Sequence, residues 1–260
     1  MRTTGRIDSE QLDRAIGRLG EAAIDPSMWP EIMEALCRAV GASGAILLQS
    51  DIRTPDVPRT PSMDEATRLY FRDNYHLTDP RAVGFPRMIS GEVITDHDVL
   101  TPEQIRSDQM YNDILRPFDF QWFAGVGFWA GSAFWALTIQ RTAREGPFEG
   151  ADKQLLSRLA PRLTETASLA TSVGRAVLRS VTDAFQRLEQ PALVLGNDGT
   201  VLATNAAADA GFDDEIRVSK RQLLVRDRSA RVKLDQVIHM MRRMPDSTAL
   251  PAVPIVVRRT

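Results

Sequence analysis

Between Trp122 and Ile139 the chain reads WFAGVGFWAGSAFWALTI, a stretch without a charge and nearly as long as a membrane-spanning helix. Gly125, Gly127 and Gly131 interrupt it, and Ala130-Gly131-Ser132 divides it in the middle as a hairpin turn would. Phe123, Phe128, Trp129, Phe134 and Trp135 are residue types that favour strands. The run is therefore expected to be an antiparallel aromatic hairpin within a sheet, with no membrane segment. Side chains alternate across a strand, so about half of these aromatics can share one face. Trp122 and Trp129 are the candidate walls of a ligand cavity, and the other aromatics are core.

Composition agrees with a chain that buries its hairpin. With 260 residues, 43% of them hydrophobic, the sequence can bury a real core, and its length favours two modest domains over one. A formal net charge of −2 gives no global field directed at nucleic acid or an acidic membrane. The single cysteine, Cys37, rules out an internal disulfide and suits a reducing compartment. The first residues are polar and lack the apolar core of a secretion signal, so a cytoplasmic protein is expected.

The N-terminal part reads as α+β. Helices are predicted over about Ser9–Ala23 and Ser27–Val40, the second tolerating Pro30 in its first turn and ending at Gly41. Ala45–Leu48 reads as a buried strand and Ile52–Pro61, with three prolines, as an irregular loop. A further helix is expected from Ser62 to about His76, terminated by Asp79-Pro80. Glu92–Thr95 reads as a short strand. Thr101-Pro-Glu-Gln104 is a capping box that should start a helix carrying Ile105, Tyr111, Ile114 and Leu115.

Asp152 to about Leu188 is the longest periodic segment. Leu156, Leu159, Leu163, Ala170, Val173, Val177 and Ala184 fall on heptad-like steps, with a kink allowed at Pro161. Two readings stay open for it: a dimer-forming linker between two sensor domains, or a helix packed against its own domain. Beyond it, Ala192–Leu195, the turn residues Asn197-Asp198-Gly199 and Val201–Thr204 form a two-stranded ribbon, and Asn205 can cap the alanine-rich helix that follows. Ile216–Val225 reads as strand-turn-strand and Ala230–Met244 as an amphipathic helix. Pro251–Val257 reads as an apolar strand that nothing completes.

Several runs resemble a known family. Asp25-Pro-Ser-Met-Trp-Pro30 leading into a helix, Ala42-Ser-Gly-Ala45, Tyr111-Asn-Asp-Ile-Leu-Arg-Pro117, and Gly146-Pro-Phe148 followed by Leu155-Leu-Ser-Arg-Leu-Ala-Pro161 are similar to the sensory region of certain LuxR-type transcriptional regulators. The ribbon and capped helix of Pro191–Phe212 resemble the opening of a PAS-type domain. The resemblance implies a GAF-like or autoinducer-domain-like antiparallel sheet with flanking helices over residues 1–149. A linker or dimerisation helix follows over 150–188, and an incomplete PAS-like domain over 189–260. It further implies a homodimer that binds a small-molecule effector and reaches DNA only through a C-terminal helix-turn-helix. No segment after Met244 has the pattern of such a headpiece, and Ile255–Val257 reads as an interior strand without its neighbour, so Thr260 is expected to be a truncation point.

The resemblance also suggests polar contacts for an effector. In the acyl-homoserine-lactone receptors of this superfamily an Asp-Pro pair follows a tyrosine-bearing helix, and Asp79-Pro80 with upstream Tyr70 is similar. The tryptophan expected one helical turn before that tyrosine is Ala66 here, which speaks against a homoserine lactone. Taken without the resemblance, Asp79 is only a residue that ends a helix in a turn.

Other chemistry finds little support. The phosphate loop, the His-Glu-x-x-His motif and the nucleophile elbow are absent, so no catalytic residues and no cofactor are expected. Asp96-His97-Asp98 has metal-ligand types, but adjacent loop residues seldom converge on one ion, and no metal is expected. Cys37 and His76 would make a nucleophile-base pair only if the fold joined them. Nine basic residues between Arg217 and Arg243 read as a solvated face rather than a phosphate-binding one. A ligand-free interaction module and an enzyme of unrecognised type are the rival functions.

Overall fold

A computed structural model describes residues 7–49, 57–196, 199–241 and 254–258. The chain divides into two compact units, Met1–Thr171 and Ser172–Thr260.

The first unit begins with three helices, α1 (Ser9–Gly17), α2 (Leu19–Ile24) and α3 (Trp29–Val40), followed by strand β1 (Gly44–Gln49). The expected first helix is interrupted at Arg18, where Gly17 and Gly20 weaken helical preference on either side. Gly41 closes α3 in the left-handed region, φ 60°, which glycine adopts at no steric cost. Next come α4 (Asp64–Arg72), α5 (Phe85–Ile89), β2 (Val93–Thr95), α6 (Asp96–Val99) and α7 (Pro102–Ser107). The charge-free run forms β3 (Trp122–Ala130) and β4 (Ala133–Arg141), paired from Trp122↔Arg141 to Ala130↔Ala133 around Gly131. All pairings in the four-stranded sheet are antiparallel, in the order β1-β4-β3-β2. Among the described residues no helix is long and apolar enough to cross a membrane.

Strand alternation gives the sheet two distinct apolar faces. Ala45, Leu47, Ala124, Val126, Phe128, Leu137 and Ile139 point to the side covered by α1 and α3. Phe123, Phe134 and Ala136 point to the other side, where Met88 of α5 packs. That close approach depends on glycine. A Cβ on Gly127 would stand 2.5 Å from Phe134 Cζ and 2.9 Å from the Met88 carbonyl oxygen, so only a bare backbone leaves room for α5.

Two expected helices are shorter than their patterns. The Ser62–His76 helix ends at Arg72, because Asn74 takes a left-handed conformation, φ 61°. Asp79 does not terminate it; it opens a separate 3-10 turn, Pro80–Gly84. Thr101 makes its capping box, but α7 stops at Ser107. Asp108 then accepts the amides of Met110 and Tyr111, starting the turn Tyr111–Leu115 anew. Residues 52–56 of the expected loop lie outside the described residues, whereas Arg59 bridges to Ile46 of β1.

The long periodic segment is also split, into α8 (Gly150–Leu156) and α9 (Leu159–Arg187). The break falls near Ser157 rather than at Pro161, because a proline ring collides with the carbonyl four residues before it. Leu156, Leu159 and Leu163 are buried in the core of the first unit, so the start of the heptad-like pattern packs against its own domain. Farther along, Val177, Val181 and Phe185 are exposed.

The second unit contains the ribbon β5 (Leu193–Leu195) and β6 (Val201–Thr204), the short helix α10 (Ala206–Gly211), the ribbon β7 (Ile216–Ser219) and β8 (Gln222–Val225), and α11 (Arg228–Met241). Asn197 and Asp198 lie outside the described residues; Gly199 of the same turn has φ 83°. Asn205 caps α10 through Ala208 N–H at 2.9 Å. Its Oδ1 also accepts from Ala192 N–H at 3.0 Å, and its Nδ2 donates to the Gln190 carbonyl at 2.8 Å. Lys220 and Arg221 carry the turn between β7 and β8 with φ 49° and 62°, where glycine or asparagine would be less strained. Residues 251–253 of the expected last strand lie outside the described residues. Pro254–Arg258 are not strand, and the Arg258 amide donates to Asp227 rather than to a ladder.

Candidate functional site

The face of the sheet opposite α1 and α3 is where polar side chains gather. Tyr70 and Phe71 come from α4, and the chain then returns through the turn capped by Asp79, whose Oδ1 accepts the Arg81 amide at 2.9 Å. That cap folds Arg81 back on the same carboxylate, with Nε donating to Oδ1 at 2.9 Å and Nη2 to Oδ2 at 2.7 Å. Tyr70 Oη donates to Oδ2 at 2.8 Å. The Asp79 and Arg81 side chains are each 11% exposed, so this is an ion pair largely removed from water. The Arg81 guanidinium also lies 4.9 Å from the centre of the Phe123 ring.

The electrostatics follow from burial and pairing. Burial pushes the Asp79 carboxyl up, but the charge and hydrogen bonds of Arg81 outweigh it and hold the group below its ordinary value. Burial, and then the Asp79 charge, raise the Tyr70 hydroxyl, which stays a donor. Close by, Asp96 is buried and accepts hydrogen bonds from the Tyr111 hydroxyl and from Phe123 N–H. Burial dominates there and pushes its carboxyl up to about 6.

Two neighbouring cavities meet at this cluster. The larger, of about 120 Å³, is walled by Phe71, Phe85, Met88 and Phe123, with Tyr70, His76, Asp79 and Arg81 supplying polar groups. The smaller, of about 30 Å³, shares Tyr70 and Arg81 with the first and adds Thr67 and Gln140. Four buried polar atoms on these walls have no hydrogen-bond partner among the described residues: Arg81 Nη1, His76 Nδ1, Thr67 Oγ1 and Gln140 Oε1. Buried polar groups in folded proteins are nearly always satisfied, so such a concentration marks a place for water or a ligand.

The structure brings together two of the four expected site residues. Tyr70 and Asp79 stand on the cavity wall, hydrogen-bonded to each other. Trp122 and Trp129 line neither cavity. Trp122 belongs to the alternation of Ala124 and Val126 and lies beside His97, ring centres 5.2 Å apart and planes tilted by 42°. Trp129 shares the Phe123 alternation but sits toward the hairpin end, 42% exposed and edge-on to Phe134. The aromatic part of the cavity wall comes from Phe71, Phe85 and Phe123.

In the structure Asp79 is engaged within the protein. Its carboxylate already accepts four hydrogen bonds from Arg81 and Tyr70, which fills its lone-pair capacity. The unfilled valence belongs to Arg81. Its signal in the sequence was a basic residue two positions after a capping aspartate in an otherwise apolar stretch. For Thr67 and Gln140 there was no signal, since each is an ordinary polar residue in an amphipathic element.

The remaining candidates are occupied elsewhere. Asp98 accepts from Lys153 at 2.8 Å and from Thr95, and Asp96 from Tyr111 and Phe123, so the two carboxylates do not converge. Among the described residues no group of three His, Cys, Asp or Glu could hold a metal. Cys37 is buried on the α3 side of the sheet, away from His76, and burial pushes its thiol up to about 12. Of the basic residues in the second unit, Arg226 faces Glu215 at 3.4 Å, and Arg242 and Arg243 lie outside the described residues.

No protein-family model matches the chain, and no curated protein matches it. Two solved structures are similar in fold. One is the ligand-binding domain of VqsR from Pseudomonas aeruginosa, at 15% identity and a TM-score of 0.47, covering 62% of this chain and 96% of that one. The other is CepR2 from Burkholderia cenocepacia, described as an N-acylhomoserine-lactone-dependent LuxR-family transcription factor. It has 18% identity and a TM-score of 0.44, covering 62% of this chain and 92% of that one.

Proposed function

We propose that the chain is the signal-sensing region of a bacterial-type transcriptional regulator and that its first unit binds a small effector in the cavity beside Arg81. The observation that carries this reading is the set of buried, unpartnered polar atoms on residues that line two adjoining cavities, the larger of them aromatic-walled: a few polar groups in an apolar cavity is the usual composition of a ligand site. Residues 1–149 are then a GAF-like sensor, 150–188 a helical linker, broken near Ser157, whose start packs into the sensor's core, and 189–260 a PAS-like domain. Output goes to a C-terminal DNA-binding domain, in the cytoplasm. An effector acts only by binding one arrangement of the protein better than another. Val177, Val181 and Phe185, exposed at four-residue spacing on α9, support a homodimer as the thing rearranged.

One observation favours the rival reading, an interaction module without ligand. The main cavity, about 120 Å³, is small beside ordinary ligand pockets of roughly 300–1,000 Å³. Solvent extraction of the purified chain, followed by mass spectrometry, and thermal denaturation against a panel of small molecules separate the two. A co-purifying molecule or a compound that raises Tm is expected. An empty extract together with an unmoved Tm across the panel would leave the interaction module.

A further inference from the structure

The unpartnered atoms specify more than the presence of a ligand. Resting on the effector-binding reading, we infer that the cavity takes a neutral, planar carboxamide on a single aromatic ring, a compound of benzamide's size and shape.

Charge excludes the ionic alternatives. Arg81 is already neutralised by Asp79, and Asp96 adds a second buried carboxyl next to the pair. A carboxylate or phosphate entering this space would meet an already neutralised Arg81, two buried carboxyls and only the His76 ring nitrogen beside them, at heavy desolvation cost. A cation would have to face Arg81 Nη1, itself a positively charged donor. A neutral group remains, and its hydrogen-bonding pattern is set by the walls. Arg81 Nη1 requires an acceptor and Gln140 Oε1 requires a donor, and both residues border the smaller cavity. A carboxamide carries a carbonyl oxygen and an N–H on one rigid plane, so it answers both, and Thr67 Oγ1 beside them can serve either atom.

Size and shape specify the rest. The larger cavity, about 120 Å³, is lined by the aromatic rings of Phe71, Phe85 and Phe123. A cavity of about 150 Å³ takes a benzene ring, so the ring needs the larger cavity and its polar substituent the adjoining smaller one of about 30 Å³, and together they leave no room for a long acyl chain. An aromatic ring gains edge-to-face contacts in such surroundings that an aliphatic body of equal area does not.

The test titrates the full chain with benzamide, benzoate, benzylamine and octanamide, following binding by ligand-observed NMR. Benzamide is expected to bind at least about tenfold tighter than any of the other three, the size of one hydrogen bond to a charged donor. Two variants localise it. Gln140→Leu removes an acceptor that holds no protein donor, and Arg81→Lys keeps the charge against Asp79 but not the second arm of the fork. Each is expected to weaken benzamide several-fold, and circular dichroism establishes that both remain folded. If benzoate or octanamide binds as tightly as benzamide, or Gln140→Leu leaves benzamide binding unchanged, the proposed class is wrong while the sensor reading stands. If no probe binds but the extract of the purified protein contains some other molecule, the class again falls alone. If no probe binds and the extract is empty, both fall.

Discussion

Arg81 returns to the carboxylate of Asp79, two residues before it, with Nε at 2.9 Å and Nη2 at 2.7 Å, and leaves Nη1 directed away from the pair. One arginine thus serves as counter-ion on one side and as an open donor on the other. The turn that makes this possible is itself built by Asp79 capping the Arg81 amide, so local structure and site are the same hydrogen-bond system.

Removing the arginine should therefore cost far more than a surface ion pair. Arg81→Met leaves the Asp79 carboxylate buried with only the backbone amide and Tyr70 as donors, and the expected loss is about 3–5 kcal/mol. The double variant Asp79→Asn/Arg81→Met should be less destabilised than the sum of the single changes. Urea denaturation of the four proteins in the cycle reads both quantities. A single-variant loss below about 1 kcal/mol, the worth of a surface pair, would show that the pair is effectively solvated.

Asp96 makes a prediction in pH. Its folded carboxyl is pushed up to about 6 from an ordinary 3.8, so between these values the folded state binds more protons than the unfolded one. Stability should consequently fall as pH rises through that window and level off above it, in the sense opposite to Asp79, whose lowered value stabilises at neutral pH and is lost in acid. Asp96→Asn should flatten the decline between pH 4 and 6. Stability curves at several pH values check it, and a variant profile parallel to the parent's would remove Asp96 as the cause.

The two glycines of β3 should differ on substitution. Gly127→Ala meets the Met88 carbonyl oxygen, which is backbone and cannot yield, and should cost about 1–3 kcal/mol. Gly125→Ala meets chiefly Met88 Sδ at 2.8 Å, the flexible part of a side chain, and should cost less. Equal losses would mean that α5 shifts as a body.

In the second unit, Asn205→Ala should exceed an ordinary cap deletion. Asp8 caps α1 at an exposed site, where the loss is about 1 kcal/mol. Asn205 is 4% exposed and ties α10 to both Ala192 and Gln190, so its removal orphans buried groups as well and should cost about 2 kcal/mol or more. Hydrogen exchange of the α10 amides measures the effect within that unit, and protection equal to the parent's would contradict it.

What the sequence determined by itself were features decided within a few residues. Gly131 between aromatic runs produced the hairpin, Gly41 the end of α3, Thr101 its capping box and Asn205 the start of α10, because turns and caps are set by short-range backbone conformation and hydrogen bonds. Tyr70 and Asp79, which border the larger cavity, were suggested by a family resemblance rather than by local reading, and it could not give their partners. Only the tertiary structure decided that Arg81 saturates Asp79, that Phe71, Phe85 and Phe123 rather than Trp122 or Trp129 line the cavity, and that the side-chain oxygens Thr67 Oγ1 and Gln140 Oε1 have no partner among the described residues. It also decided that Leu156, Leu159 and Leu163 belong to a core instead of a seam. Each of these depends on which strand face is covered and on which remote side chains arrive there, and alternation along a strand offers both faces equally until packing chooses between them.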